Sequence, residues 1–335
     1  MRKALIIVLV LSQFAVLGYM AGEREWIHRN GDRIYLRTAP IDPRDPFRGD
    51  YVQLSYALNT IDAARYRSTL AASLPSSDAV VYAVLKRGAE GVYGLDYLSD
   101  RQPSSGTFLR GRVSREPNGG QIHVRYGIEQ YFVEQGAGIA IEKKRGDRDS
   151  VQIPMEVEVA LGRGGQSVLT GFRWAPIGIR LEQLTTVSDE SDRGEARPPR
   201  SPKLLLTLKN VSNNVLLIAD NALHCGFSLQ AEGDTGRRYS MANNHCSPYV
   251  LQEADVITLA PGQAYRAELD MALPRWYVLE EGAAGSASLA VAAVNERFRI
   301  VYRPPVIPAD TSVNEGVLWQ GEIVSPTFNV RGVID

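Results

Sequence analysis

Asp42, Asp45 and Asp50 fall in one short stretch, interleaved with Arg44 and Arg48. Clustered carboxylates suit general acid–base chemistry when burial or a second carboxylate holds one of them protonated near neutral pH. Here the interleaved arginines favour the charged form and push the other way. The cluster therefore reads first as an ion-paired loop, second as a binding surface and third as a catalytic site. Glu129 is the further carboxylate that an envelope hydrolase would recruit. Cys225 and Cys246 are the only cysteines, and each follows a histidine, His224 and His245. A Cys₂His₂ metal site is the sharper reading. Adjacent residues on a strand point to opposite faces, so a His-Cys dipeptide is poorly shaped to chelate one ion. A disulfide between the two is expected. The chain has no H-E-x-x-H, P-loop or dinucleotide fingerprint, so no metal, no cofactor and no catalytic residue is assigned. A formal net charge of −1 gives no field that would draw nucleic acid.

The acidic loop is positioned by prolines. Pro40, Pro43 and Pro46 stiffen Pro40–Pro46 in an extended form, and Gly49 allows backbone angles that a side chain forbids. Asp50–Leu58 then alternates, placing Asp50, Val52, Leu54 and Tyr56 on one face and Tyr51, Gln53 and Ser55 on the other. Ile34–Arg37 reads as the strand that enters the loop. Ile61–Leu74 has roughly helical spacing and is expected to be a short helix. Ala79–Leu85, Val92–Leu98, Thr107–Arg115 and Gln121–Tyr126 read as strands. A second short helix is expected over Gly138–Lys144. A final hairpin, Met155–Leu161 with Ser167–Trp174, turns at Gly162–Gly165.

Gly49, Asp50, Tyr51, Leu54 and Tyr56 stand in the register G-D-Y-x-x-L-x-Y. Gly127–Gly138, containing Glu129 and Tyr131, carries a second stretch, G-I-E-x-Y-F-V-x-x-G. In these two motifs, over about residues 1–175, the chain resembles the GDYXXLXY family. The resemblance implies a membrane-anchored bacterial protein of a kind often encoded beside integral membrane proteins; an accessory role for such a partner, without catalysis, is the first expectation. The motif residues Gly49, Asp50, Tyr51, Leu54, Tyr56, Glu129 and Tyr131, with Asp42, Arg44, Asp45 and Arg48 of the preceding loop, are the positions for possible binding.

Met1-Arg2-Lys3 precedes an apolar run, Ala4–Ala21, close to the ~20 residues that cross a bilayer as a helix. An uncleaved anchor and a secretory signal peptide both fit it. Either way Arg2 and Lys3 hold the N-terminus in the cytoplasm and place the rest outside. The expected order is a membrane segment at 1–22 and a β-rich domain at 23–184. A Ser/Asp/Glu/Arg/Pro-rich linker follows at 185–202, then an immunoglobulin-like β-sandwich at 203–335, where short strands recur at close intervals. The fold class is mainly β. The expected location is the inner membrane, crossed once, with the bulk of the chain in the periplasm. A glycan- or ligand-binding module on the second domain is the remaining alternative.

Overall fold

The computed structural model describes residues 2–39, 51–68, 73–117, 120–134, 137–147, 149–184, 203–231, 239–241, 246, 249–282, 285–305, 318–329 and 332–334. The expected acidic loop with Asp42, Arg44, Asp45, Arg48, Gly49 and Asp50 lies outside the described residues, as does the expected linker at 185–202. The chain divides into two compact units, residues 1–139 with 155–174, and residues 140–154 with 175–335.

The first unit opens with helix α1 (Arg2–Asn30). It runs eight residues past the expected end of the membrane segment. Its apolar part is not buried by the described residues: Leu9, Leu11, Phe14 and Leu17 are all more than half exposed. Strands β1 (Asp32–Ala39), β2 (Tyr51–Gln53), β3 (Ser55–Tyr56), β4 (Thr60–Asp62), β5 (Tyr66–Arg67) and β6 (Val80–Arg87) follow. They continue as β7 (Tyr93–Ser99), β8 (Thr107–Val113), β9 (Gln121–Arg125), β10 (Gln130–Phe132), β11 (Met155–Leu161) and β12 (Ser167–Trp174). One sheet has the order β12-β11-β1-β3 and another β4-β9-β8-β6-β7-β5, with β2 and β10 forming a two-stranded ladder.

Alternation decides which side chains are covered. Ile34 and Leu36 of β1 and Val157 and Val159 of β11 are buried, and Tyr35 and Glu158 between them, paired across the strands, lie on the opposite face. Val52, Leu54 and Tyr56 are likewise buried, whereas Gln53 is exposed. Over its described part, residues 61–68, the expected helix of Ile61–Leu74 is replaced by two short strands and a single 3-10 turn at Ala63–Arg65. Ile61 is buried opposite Ile122 in the β4–β9 pair, and Asp62 ends that strand by accepting a hydrogen bond from the Ala64 amide. Sheet pairing overrides a weak helical spacing there. The helix α2 (Ala137–Arg145) is present where one was expected.

The second unit is built from β13 (Ile177–Leu184), β14 (Lys203–Asn210), β15 (Leu216–Ala219), β16 (Phe227–Ala231), β17 (Tyr239–Met241), β18 (Val256–Leu259) and β19 (Ala264–Asp270). It closes with β20 (Tyr277–Gly282), β21 (Gly285–Ala290), β22 (Phe298–Tyr302), β23 (Ile323–Val324), β24 (Phe328–Asn329) and β25 (Gly332–Val333). β13 pairs along its whole length with β14, Ile177 opposite Asn210 and Leu184 opposite Lys203. The unit therefore gains a strand that the sequence reading placed in the N-terminal domain. One core joins the inner faces of two sheets, Ile179, Leu206 and Leu269 from β13-β14-β19 and Phe227, Ile300 and Phe328 from β16-β22-β24. Trp276 and Trp319 fill it, with Trp319 stacked on Tyr302 at 6.0 Å between ring centres.

Candidate functional site

Both motif stretches meet in the first unit. The β2–β10 ladder sets Tyr131 opposite Val52, and the Leu54 amide donates to the Glu129 carbonyl at 2.8 Å. The Glu129 carboxylate accepts from the amides of Tyr126 at 2.6 Å and Gly127 at 2.9 Å, and from the Asn59 side chain at 3.2 Å. Asn59 in turn accepts from the Tyr56 amide and donates to the Val124 carbonyl. The Tyr56 hydroxyl donates to the Ile128 carbonyl and the Tyr126 hydroxyl to the Leu58 carbonyl. Burial, with the nearby Glu129 charge, pushes both phenols up, so they remain protonated donors.

Each of these groups already has a partner within the fold. Glu129 holds three donors from the fold, which is the arrangement of a brace. Tyr131 packs edge-on to Phe172 at 5.7 Å. Its neighbour Phe132 is instead 69% exposed. Tyr51 pairs with Phe132 across the β2–β10 ladder.

The family model described as GDYXXLXY protein matches residues 13–172. The N-terminal half of the chain belongs to the GDYXXLXY family. The matched span covers the last half of α1's apolar run and both motif stretches, and it ends inside β12. No curated protein and no solved structure matches the chain.

Two polar clusters were not legible from sequence. In the first unit, Glu156 on β11 is fully buried and accepts from Arg37 on β1 at 2.5 Å and from Arg173 on β12 at 2.7 Å. The three are cross-strand neighbours in register. Arg173 also lies over the Tyr35 ring, 3.9 Å from its centre, and donates to the Glu90 carbonyl. Two residues on, Glu158 binds Arg33 at 2.5 Å and Thr170 at 2.6 Å. The Thr170 hydrogen bond, then Arg33 and Tyr35, hold the Glu158 carboxyl below the usual carboxylate range against a smaller opposing effect of burial.

In the second unit, the Asp220 side chain is fully buried. Its Oδ2 faces His224 Nδ1 at 2.8 Å and accepts from the Tyr265 hydroxyl at 2.7 Å, while Oδ1 accepts from the Gly226 amide. Burial, with Asp220 beside it, pushes the Tyr265 phenol up. An Asp–His pair orients an imidazole for base catalysis when a nucleophile stands beyond it. Among the described residues no serine or threonine hydroxyl bonds His224. The adjacent Cys225 is joined to Cys246, with 5.5 Å between Cα atoms, so it supplies no thiol. The expected disulfide is therefore present, and His224 Nδ1 pairs with Asp220. Among the described residues no cluster of three metal-ligating side chains occurs.

Acid should weaken the first unit in two stages. Burial, then the Arg115 charge, holds the His123 imidazole below its ordinary value of 6.5. Arg115 approaches its Nε2 at 2.6 Å, so that nitrogen is the acceptor and the ring is neutral in the fold. A group whose folded value is lowered stabilises the fold above its ordinary value, and that stability is lost as pH falls through the folded one. His123 therefore acts first, below about pH 6.5. Glu158 acts further down, below the ordinary carboxylate value of 4.5. Melting the detergent-solubilised full chain across this range should show His123→Gln removing the upper limb and Glu158→Gln the lower. Melting that does not change between pH 7 and 4 would contradict both assignments.

Proposed function

We propose that this is a single-pass, membrane-anchored protein whose two β units lie outside the cytoplasm and serve an integral membrane partner without catalysing a reaction. One observation carries the reading. A helix long and apolar enough to cross a membrane has an apolar window that the described residues do not bury, while its far end is built into a folded domain. Such a surface is stable in lipid and not in water. The disulfide supports an oxidising compartment, and Arg2 with Lys3 supports an N-terminus kept inside. Together they favour the periplasm and the inner membrane. The two-sheet core of the second unit supports an immunoglobulin-like sandwich.

The non-catalytic part of the reading rests on the brace. Glu129, Tyr56 and Tyr126 hold backbone groups of the fold, and Phe132 beside them is 69% exposed. An exposed aromatic at such a position suits recognition. Carbonate-washed membranes should retain the protein, and protease added to spheroplasts should digest it. Affinity capture from detergent-solubilised envelope should recover an integral membrane protein, and Phe132→Asp should lose it without lowering the melting temperature. Recovery of a soluble mature chain, or capture unaffected by Phe132→Asp, would contradict the respective parts.

A further inference from the structure

α1 is welded to the first unit. Ile27 in its last turns is buried, and Glu23 accepts from the Gln166 side chain at 3.1 Å. The Gly31 amide donates to the Ile27 carbonyl at 2.8 Å. Two glycines allow this closeness. A Cβ on Gly31 would stand 2.6 Å from the Ile27 carbonyl oxygen and 2.8 Å from that of Leu161, and one on Gly162 would stand 2.9 Å from the Ile27 side chain. Both contacts at Gly31 are to backbone, which cannot swing aside.

The register then fixes where the β11–β12 turn goes. β1 leaves α1 and runs away from it, and its first residue, Asp32, pairs with Leu161, the last of β11. β11 is antiparallel to β1, so the chain beyond Leu161 projects past the start of β1 and back along the helix. Gly162 lies against Ile27, and Gln166 bonds the Gly164 amide on one side and Glu23 on the other. The turn Gly162–Gly165 thus reaches the level of Glu23, two residues past the end of the apolar run at Ala21.

Arg163 at that turn is exposed, as is Arg24 on the helix. Arg110 is also exposed, and its amide donates to the Gly165 carbonyl at 2.8 Å, which places β8 beside the same turn. Among the described residues no carboxylate pairs with Arg24, Arg110 or Arg163. The two nearby acids are engaged elsewhere, Glu23 with Gln166 and Glu25 with Arg29. Trp26, 69% exposed, stands about 6 Å beyond Gly22 along the helix axis, the level at which aromatic side chains anchor in a bilayer interface.

We propose that the Gly162–Gly165 turn rests in the headgroup layer, and that Arg24, Arg110 and Arg163 form a basic collar that binds the headgroups of anionic phospholipids. The proposal rests on the membrane-spanning reading of α1. It adds that the first unit sits directly on the bilayer in one orientation, with no flexible stalk. A basic residue near an anionic leaflet favours it by about fivefold.

The test uses the full chain in nanodiscs of equal phosphatidylglycerol and phosphatidylcholine, followed by native mass spectrometry of the lipids it retains. The wild-type chain should keep phosphatidylglycerol several-fold over phosphatidylcholine. R24Q/R110Q/R163Q should bring the ratio towards one, with the melting temperature unchanged because all three side chains are exposed. A nitroxide on R163C should also be relaxed by nickel chelated on a lipid headgroup. A chain that inserts but shows no preference, or a preference that the triple substitution leaves intact, overturns the collar. A nitroxide untouched by the headgroup nickel overturns the placement of the turn. A chain that stays outside the discs overturns the anchor reading instead.

Discussion

Glu156→Ala should lower the stability of the first unit by about 3–5 kcal/mol, because it strips the partner from two guanidinium groups at once. The carboxylate is fully buried between Arg37 and Arg173, and the Arg37 side chain is itself only 20% exposed. Burying a pair of opposite charges is close to neutral when geometry is good, but leaving one charge behind is not. Arg173 retains the Tyr35 ring and the Glu90 carbonyl, so most of the loss falls on Arg37. Glu156→Gln keeps the shape and one acceptor oxygen and should cost less than the alanine. Glu156→Leu combined with Arg37→Met should recover much of the loss, since a buried ionic pair can be replaced by apolar side chains of similar volume. Thermal melting of the full chain, with hydrogen exchange over β1, β11 and β12 to locate the change, measures all three. An alanine variant that melts within 1 °C of wild type would show that Glu156 is not a buried keystone.

The two clusters differ in how far the sequence disclosed them. The alternation of Met155-Glu156-Val157-Glu158-Val159 marks a strand with two acids on one face. It does not say that Arg37, 119 residues earlier, completes the row. Local pattern carries faces and not partners. β13 stayed hidden because its partner β14 lies beyond residues 185–202, and nothing within Ile177–Leu184 names the unit it joins. Ile61–Leu74 misled for the opposite reason, since its apolar spacing is helical while Ile61 is drawn into a pair with Ile122. The disulfide was legible because two cysteines allow one pairing. Asp220 was not, although His224-Cys225 drew attention to its neighbourhood. Its partners are Tyr265, 45 residues on, and a histidine held at a positive φ of 55°. At the motif, Val52, Leu54 and Tyr56 were placed on a common face by period-two reading alone, but the role of Glu129 emerged only with the donors it accepts from, Tyr126, Gly127 and Asn59.

That role gives the sharpest separation between scaffold and enzyme. Leu54→Ala should destabilise by about 2–5 kcal/mol, because Leu54 is 3% exposed and the truncation leaves a cavity at the junction of β2 and β3. Glu129→Ala removes the acceptor for the Tyr126 and Gly127 amides and one acceptor for Asn59. An amide left without its partner in a buried setting costs about 1–3 kcal/mol. Tyr126 is buried and Gly127 exposed, so the Tyr126 amide dominates and water relieves the other. The two substitutions touch one network through the Leu54 amide and the Glu129 carbonyl. The double variant should therefore lose less than the sum of the singles, a coupling that a cycle of melts detects. An active site predicts the reverse for Glu129. Catalytic carboxylates are commonly held at a cost to stability, so their removal leaves melting unchanged or raises it while function disappears. A Glu129→Ala chain that melts at or above wild type, yet loses its cellular function while remaining in the membrane, would replace the brace with a catalytic group. A chain that melts lower, with Glu129→Gln recovering part of the loss, fixes the second motif as the strut that holds the first in place.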